Sequence, residues 1–83
     1  MTYRVSVKPS AEKQMRRLPD YVLTNVLKRV LALADDPRPS GVKKLAGGLG
    51  WRIRAGDWRV IYEIDDEQRA VLIVAVKSRQ SAY

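Results

Sequence analysis

The 83 residues carry 16 lysines and arginines against 9 aspartates and glutamates, a formal net charge of +7, with no histidine and no cysteine. Those two absences exclude imidazole catalysis, thiolate nucleophiles, disulfide staples and cysteine-based metal sites. The length allows one small domain, residues 1–83, and the excess of bases points to a polyanion or an acidic protein as partner.

Tyr3, Val5 and Val7 alternate with Arg4, Ser6 and Lys8, which predicts a strand with one buried face, stopped by Pro9. Ser10 is placed to cap a helix running to about Leu18. Along it Ala11, Met15 and Leu18 face inward, while Lys13, Arg16 and Arg17 face water. Pro19 breaks the pattern, and Asp20 is placed to cap a second helix from Tyr21 to Ala34. There Val22, Val26, Val30 and Leu33 form one apolar row, and Leu23, Leu27, Leu31 and Ala34 a second beside it. A stripe that wide needs cover from both the first helix and a sheet. Lys28 and Arg29 take the wet face, and Asp35-Asp36-Pro37 ends the helix.

After the loop Arg38-Pro39-Ser40-Gly41, Lys43, Lys44 and Leu45 read as a short strand or a turn ahead of the flexible Ala46-Gly47-Gly48-Leu49-Gly50. Two strands follow, separated by the Gly56-Asp57 turn. On the first, Arg52 and Arg54 share one face, and Trp51, Ile53 and Ala55 share the other. On the second, Trp58, Val60, Tyr62 and Ile64 alternate with Arg59, Ile61 and Glu63. The alternation assigns Trp51, Trp58 and Tyr62 to the core and sets a row of guanidinium groups on the opposite face, a surface suited to phosphate. Asp65-Asp66-Glu67-Gln68 connects to the nearly continuous apolar run from Ala70 to Val76, the pattern of an interior strand covered on both faces. A basic tail from Lys77 to Tyr83 closes the chain. The order β-α-α-β-β-β predicts an α+β domain, a helical hairpin packed on a mainly antiparallel four-stranded sheet. No secretory h-region opens the chain, and no apolar run approaches the roughly 20 residues that span a membrane, so a cytoplasmic protein without membrane contact is expected.

This order closely resembles the RelE/ParE toxin superfamily over essentially the whole chain. The likeness is carried by Gly50-Trp51-Arg52-Ile53-Arg54 through Asp57-Trp58-Arg59-Val60-Ile61-Tyr62-Glu63-Ile64 and the basic tail ending in Tyr83. The basic set and the C-terminal Arg79 and Tyr83 look more like RelE than ParE. The resemblance implies a type II toxin that cuts mRNA in the ribosomal A site, contacts ribosomal RNA, uses no cofactor or metal, and is silenced by a cognate antitoxin. It implies catalytic roles for Arg52, Arg54, Arg59, Arg79 and Tyr83, and Lys43, Lys44 and Lys77 are the candidates for RNA binding. Where many relatives have Gly-His-Arg near the end, this chain has Lys77-Ser78-Arg79.

Cleavage of RNA without a metal needs an activated 2′-OH, a stabilised phosphorane and a protonated 5′-oxygen. Four arginines supply the stabilisation. Arginine, with a pKa above about 12, cannot serve as the base. Lys43, Lys44, Lys77 and Tyr83 remain candidates for that role, and alignment of the 2′-OH by the ribosome itself is the alternative. Glu63 is placed to pair with an arginine and orient it. A ParE-like inhibitor of DNA gyrase and a non-catalytic basic module are the rival functions.

Overall fold

Alternation and proline placement set the elements. In the computed structural model, which describes residues 2–78, β1 (Arg4–Val7) leads into α1 (Pro9–Arg16) and α2 (Asp20–Ala32), followed by β2 (Lys43–Lys44). A single 3-10 turn (Ala46–Gly48) precedes β3 (Trp51–Ala55), β4 (Trp58–Asp65) and β5 (Ala70–Ser78). The strands form one five-stranded sheet in the order β1-β5-β4-β3-β2. Only β1 runs parallel to its neighbour β5; the other pairings are antiparallel. The α+β expectation holds, with five strands in place of four, because Lys43 and Lys44 pair with Arg52 and Trp51 as a short edge strand.

Both helices pack on one side of the sheet, α1 over β5 and α2 over β3 and β4. Ala11 and Met15 of α1, Leu18, and Val26, Val30 and Leu33 near and along α2 meet Ile53, Ala55, Val60, Tyr62, Val71, Ile73 and Val76. Each large side chain so buried contributes about 1.5–3 kcal/mol relative to exposure. Trp51 and Trp58, assigned to the core, are half-buried and pack against its margin. Among the described residues no helix is long and apolar enough to cross a membrane.

Three expectations change. The helix starts do not use Ser10 or Asp20 as caps: α1 begins at Pro9 after Lys8, and α2 at Asp20 after Pro19. Proline at the first helical position of α1 has a preset φ and no N–H to satisfy, so a side-chain cap is dispensable there; in α2 Pro19 is itself the N-cap, in an extended conformation with ψ 152°, and Asp20 is the first helical residue. The second apolar row of α2 is not covered. Leu23 is half-buried while Leu27 and Leu31 are exposed, because α1 has only 8 residues against the 13 of α2. The apolar run of β5 is buried on one face only: Val71, Ile73 and Val76 point at the helices, and Leu72, Val74 and Ala75 stay half-buried.

Candidate phosphate-binding face

Strand register decides which side chains meet. Gly56, the first of the two loop residues between β3 and β4, has φ +63°, the II′-type arrangement that suits the twist of a two-residue hairpin. That turn pairs Arg54 with Arg59 and Arg52 with Ile61. On the other side of β4, Arg59 stands opposite Lys77 and Ile61 opposite Ala75. Lys43 of β2 stands opposite Arg52. Two neighbouring rows therefore cross the sheet on the face away from the helices: Arg54–Arg59–Lys77 and Lys43–Arg52–Ile61–Ala75. Directly opposed side chains in such a ladder have Cβ atoms about 5 Å apart. Five cations are gathered in this way, and neither row contains a carboxylate.

Their environments differ. Arg52 and Arg59 are only 8% and 7% exposed, against the solvent-facing row expected, while Arg54 and Lys43 are exposed and Lys77 is half-buried. A guanidinium held in a partly dehydrated setting acts more strongly on a nearby phosphate than one in open water. Arg54, Gly56, Asp57 and Arg59 line a shallow pocket of about 60 Å³ at the hairpin end. Asp57, which sequence reasoning passed over as a turn residue, brings a carboxylate to the edge of the cationic rows. Its signal was its position two residues before Arg59.

Lys44 leaves the set. Its partner in register is Trp51, which puts it on the helix side with its Nζ 5.7 Å from the indole centroid. Glu63 lies on the open face but is exposed, and belongs to neither ion pair among the described residues, Arg16–Glu12 and Arg38–Asp66. Arg79 and Tyr83 lie outside the described residues.

A second cluster braces the arginine strands. The Arg38 guanidinium donates to Asp66 through both terminal nitrogens, at 3.1 and 2.8 Å, and lies 4.9 Å from the centroid of Trp51. Asp66 also accepts a bond from the Tyr3 hydroxyl at 2.7 Å. The Arg38 and Tyr3 hydrogen bonds hold the Asp66 carboxyl down at about 2. The cluster thus joins the α2–β2 loop to the β4–β5 turn and clamps Trp51, the residue beside Arg52. Tyr62, buried beneath, donates its hydroxyl to the Pro37 carbonyl at 2.7 Å, and burial pushes its phenol up to about 12. It is a fastening and not a phenolate for chemistry.

A family model described as the ParE toxin of the type II toxin–antitoxin system parDE matches residues 5–83. The chain belongs to the RelE/ParE toxin superfamily. Toxin RelE of Mycobacterium tuberculosis is 31% identical to it, over 98% of this chain and 86% of the relative. Toxin RelG of the same organism is 31% identical over 100% of this chain and 98% of its own length. The archaeal RelE–RelB complex from Pyrococcus horikoshii contains a chain that superposes with a TM-score of 0.85 at 32% identity, covering 99% of this toxin and 100% of that chain. The toxin–antitoxin complex RelBE2 from Mycobacterium tuberculosis gives 0.84 at 28% identity, covering 95% of this toxin and 100% of that chain. This RelE/ParE toxin therefore pairs the fold of those structures with a cation-rich open sheet face.

Proposed function

We propose that this toxin is a ribosome-dependent endoribonuclease that cuts mRNA in the ribosomal A site, stops translation in the cytoplasm, and is neutralised by a cognate antitoxin. The observation that carries the reading is the pair of cross-strand rows in which Lys43, Arg52, Arg54, Arg59 and Lys77 meet without a carboxylate between them. The reaction requires the 2′-oxygen to bond to phosphorus while the bond from phosphorus to the 5′-oxygen breaks and that oxygen gains a proton. Arg54 and Arg59, opposed across the ladder, fork onto the non-bridging oxygens and carry the charge that grows on them. Arg52 with Lys43 holds the next phosphate of the strand. Arg79 is assigned to the leaving oxygen and Tyr83 to the target nucleotide.

Arg52, Arg54 and Arg59 cannot take the 2′-proton at neutral pH; Lys43 and Lys77 stay the lysine candidates on this face, and alignment of the 2′-OH by the ribosome completes the site. Free RNA is then a poor substrate. An acidic, amphipathic antitoxin segment neutralises the charge by covering this face. A cognate antitoxin as partner is supported by the two toxin–antitoxin complexes named above.

The test is a toeprint of stalled ribosomes on a defined mRNA, with free mRNA as control. Wild type should cut within the A-site codon only on ribosomes, and Arg54→Ala should lose the cut while keeping its circular dichroism spectrum. Uncut mRNA with folded wild-type protein would refute the assignment. The ParE description of the family model favours a second reading, inhibition of DNA gyrase. A supercoiling assay distinguishes it, and there the arginine rows would not act as a unit.

A further inference from the structure

We propose that the groove between the end of α1 and the end of β5 is a nucleobase subsite, with the indole of Trp58 as its stacking surface. The inference takes its substrate class from the RNA-cutting reading. The groove encloses about 350 Å³ and is lined by Gln14, Arg17, Leu18, Trp58, Val76 and Lys77, with Ser78 at its end. Trp58 is the first residue of β4, and its ring is half-buried where Val60 and Tyr62, next along the same face, are fully buried. Part of an aromatic surface is thus left uncovered at the end of the sheet.

The surroundings suit a base better than an apolar side chain. Pairing between β1 and β5 ends at Val7 and Ile73, and beyond that point the Gln14 Oε1 accepts from the Val76 N–H at 2.8 Å. This bond fixes the amide of Gln14 as a polar wall of the groove. Arg17 is exposed at the rim and belongs to neither of the two ion pairs among the described residues. Lys77 lines the groove and also stands opposite Arg59 in the cationic row. One residue thus joins the phosphate rows to the groove. A strand whose phosphate rests on Arg59 and Lys77 can turn its neighbouring base around the end of the sheet onto Trp58. An indole face, a planar amide and cations at the rim match a base carried on an anionic backbone. A leucine or phenylalanine from a protein partner would leave the cations and the amide unused.

The test uses the full-length Trp51→Phe toxin, freed of antitoxin, in which Trp58 is the single tryptophan and is excited selectively over the four tyrosines. A short 2′-O-methyl oligoribonucleotide, which cannot be cut, is titrated against an abasic oligonucleotide with the same number of phosphates. The base-bearing strand should quench Trp58 and bind about tenfold more tightly, the size of one stacked base. Arg17→Ala in the same background should shrink that ratio, and thermal melting of both variants establishes that they are folded. Equal affinities without quenching would overturn the subsite. Quenching by an acidic peptide and not by the base-bearing strand would overturn it too, and would give the groove to the antitoxin. Base-dependent quenching by a toxin that cuts no ribosome-bound mRNA would remove the nuclease reading and leave the subsite standing. Cutting without base dependence would do the reverse.

Discussion

Replacing Arg54 by threonine should stabilise the fold while weakening its function. Arg54 faces Arg59 directly across the β3–β4 ladder, and Arg59 faces Lys77 on its other side. Like charges in directly opposed positions destabilise a sheet pair by roughly 0.2–1 kcal/mol. Arg54 is exposed, so water and salt screen part of that repulsion, and a relief of about 0.5 kcal/mol at low ionic strength is the expected size. Threonine is also a good strand former, which keeps the ladder intact. For a chain of this length the gain corresponds to a rise in Tm of about 2–4 °C. Scanning calorimetry at low and at molar salt checks it: the rise should appear at low salt and shrink as the screening length falls to about 3 Å. The same variant should bind single-stranded RNA more weakly and with a shallower dependence on salt, because one cation has left the phosphate site. A loss of more than about 1 kcal/mol on replacing Arg54, at any salt concentration, would refute the reasoning. It would show that the guanidinium is a structural tie and not a like-charged neighbour kept for a ligand.

Gly50→Ala should destabilise by about 2–4 kcal/mol, because Gly50 sits at φ +99° and an added Cβ would stand 2.4 Å from the Tyr62 carbonyl oxygen; urea unfolding measures it. Arg59→Lys should remain folded yet lose ribosome-dependent cutting by tenfold or more, since an ammonium cannot fork onto two phosphate oxygens; single-turnover cleavage measures it. Asp66, held at about 2 against an ordinary 3.8, contributes stability that is complete above pH 4 and lost as the pH falls through 2; Asp66→Asn should remove that portion of the acid-unfolding curve. Tyr62, raised from 10.0 to about 12, contributes stability below pH 10 that disappears as the pH rises toward 12; Tyr62→Phe should flatten the alkaline limb while weakening the fold by about 1 kcal/mol through the lost bond to Pro37.

The elements were legible because their signals are local. Period-two alternation placed Arg52, Arg54 and Arg59 on one face and Trp51, Trp58 and Tyr62 on the other, as the register has them. Proline marked both helix starts, though not through caps at Ser10 and Asp20: Pro9 is the first helical residue of α1, with a preset helical φ, and Pro19 is the extended residue just before α2. Burial was less legible, because it depends on what lies across from a residue. The exposed Leu27 and Leu31 read as core from their spacing, and nothing in that spacing says that α1 is too short to reach them. Arg52 and Arg59 read as solvent-facing for the same reason. The Tyr3–Asp66–Arg38–Trp51 cluster was hidden more deeply. Its members are separated by up to 63 positions, and the chain meets at that corner only after β1 has paired with β5.

Lys77 shows why the site depends on a departure from regular structure. By plain alternation Val71, Ile73, Ala75 and Lys77 would share a face, and Lys77 would be driven toward the helices. The ladder instead pairs Tyr62 with Ile73 and Ile61 with Ala75, leaving Val74 as an extra residue on β5. This bulge turns the remainder of the strand over: Val76 joins the core beside Val60, and Lys77 arrives opposite Arg59 on the open face. Bulges commonly re-aim a side chain next to a functional site. Here one extra residue completes a row of three cations and places Lys77 against the groove that holds Trp58. The continuous apolar run that read as two-sided burial is two half-strands of opposite phase, each apolar on its own inner face. The sheet accepts like-charged neighbours across the β3–β4 and β4–β5 ladders, an arrangement that packing alone does not favour. On the function proposed above, a bound polyanion would offset the repulsion between these neighbours, so the like-charged rows would favour the bound state.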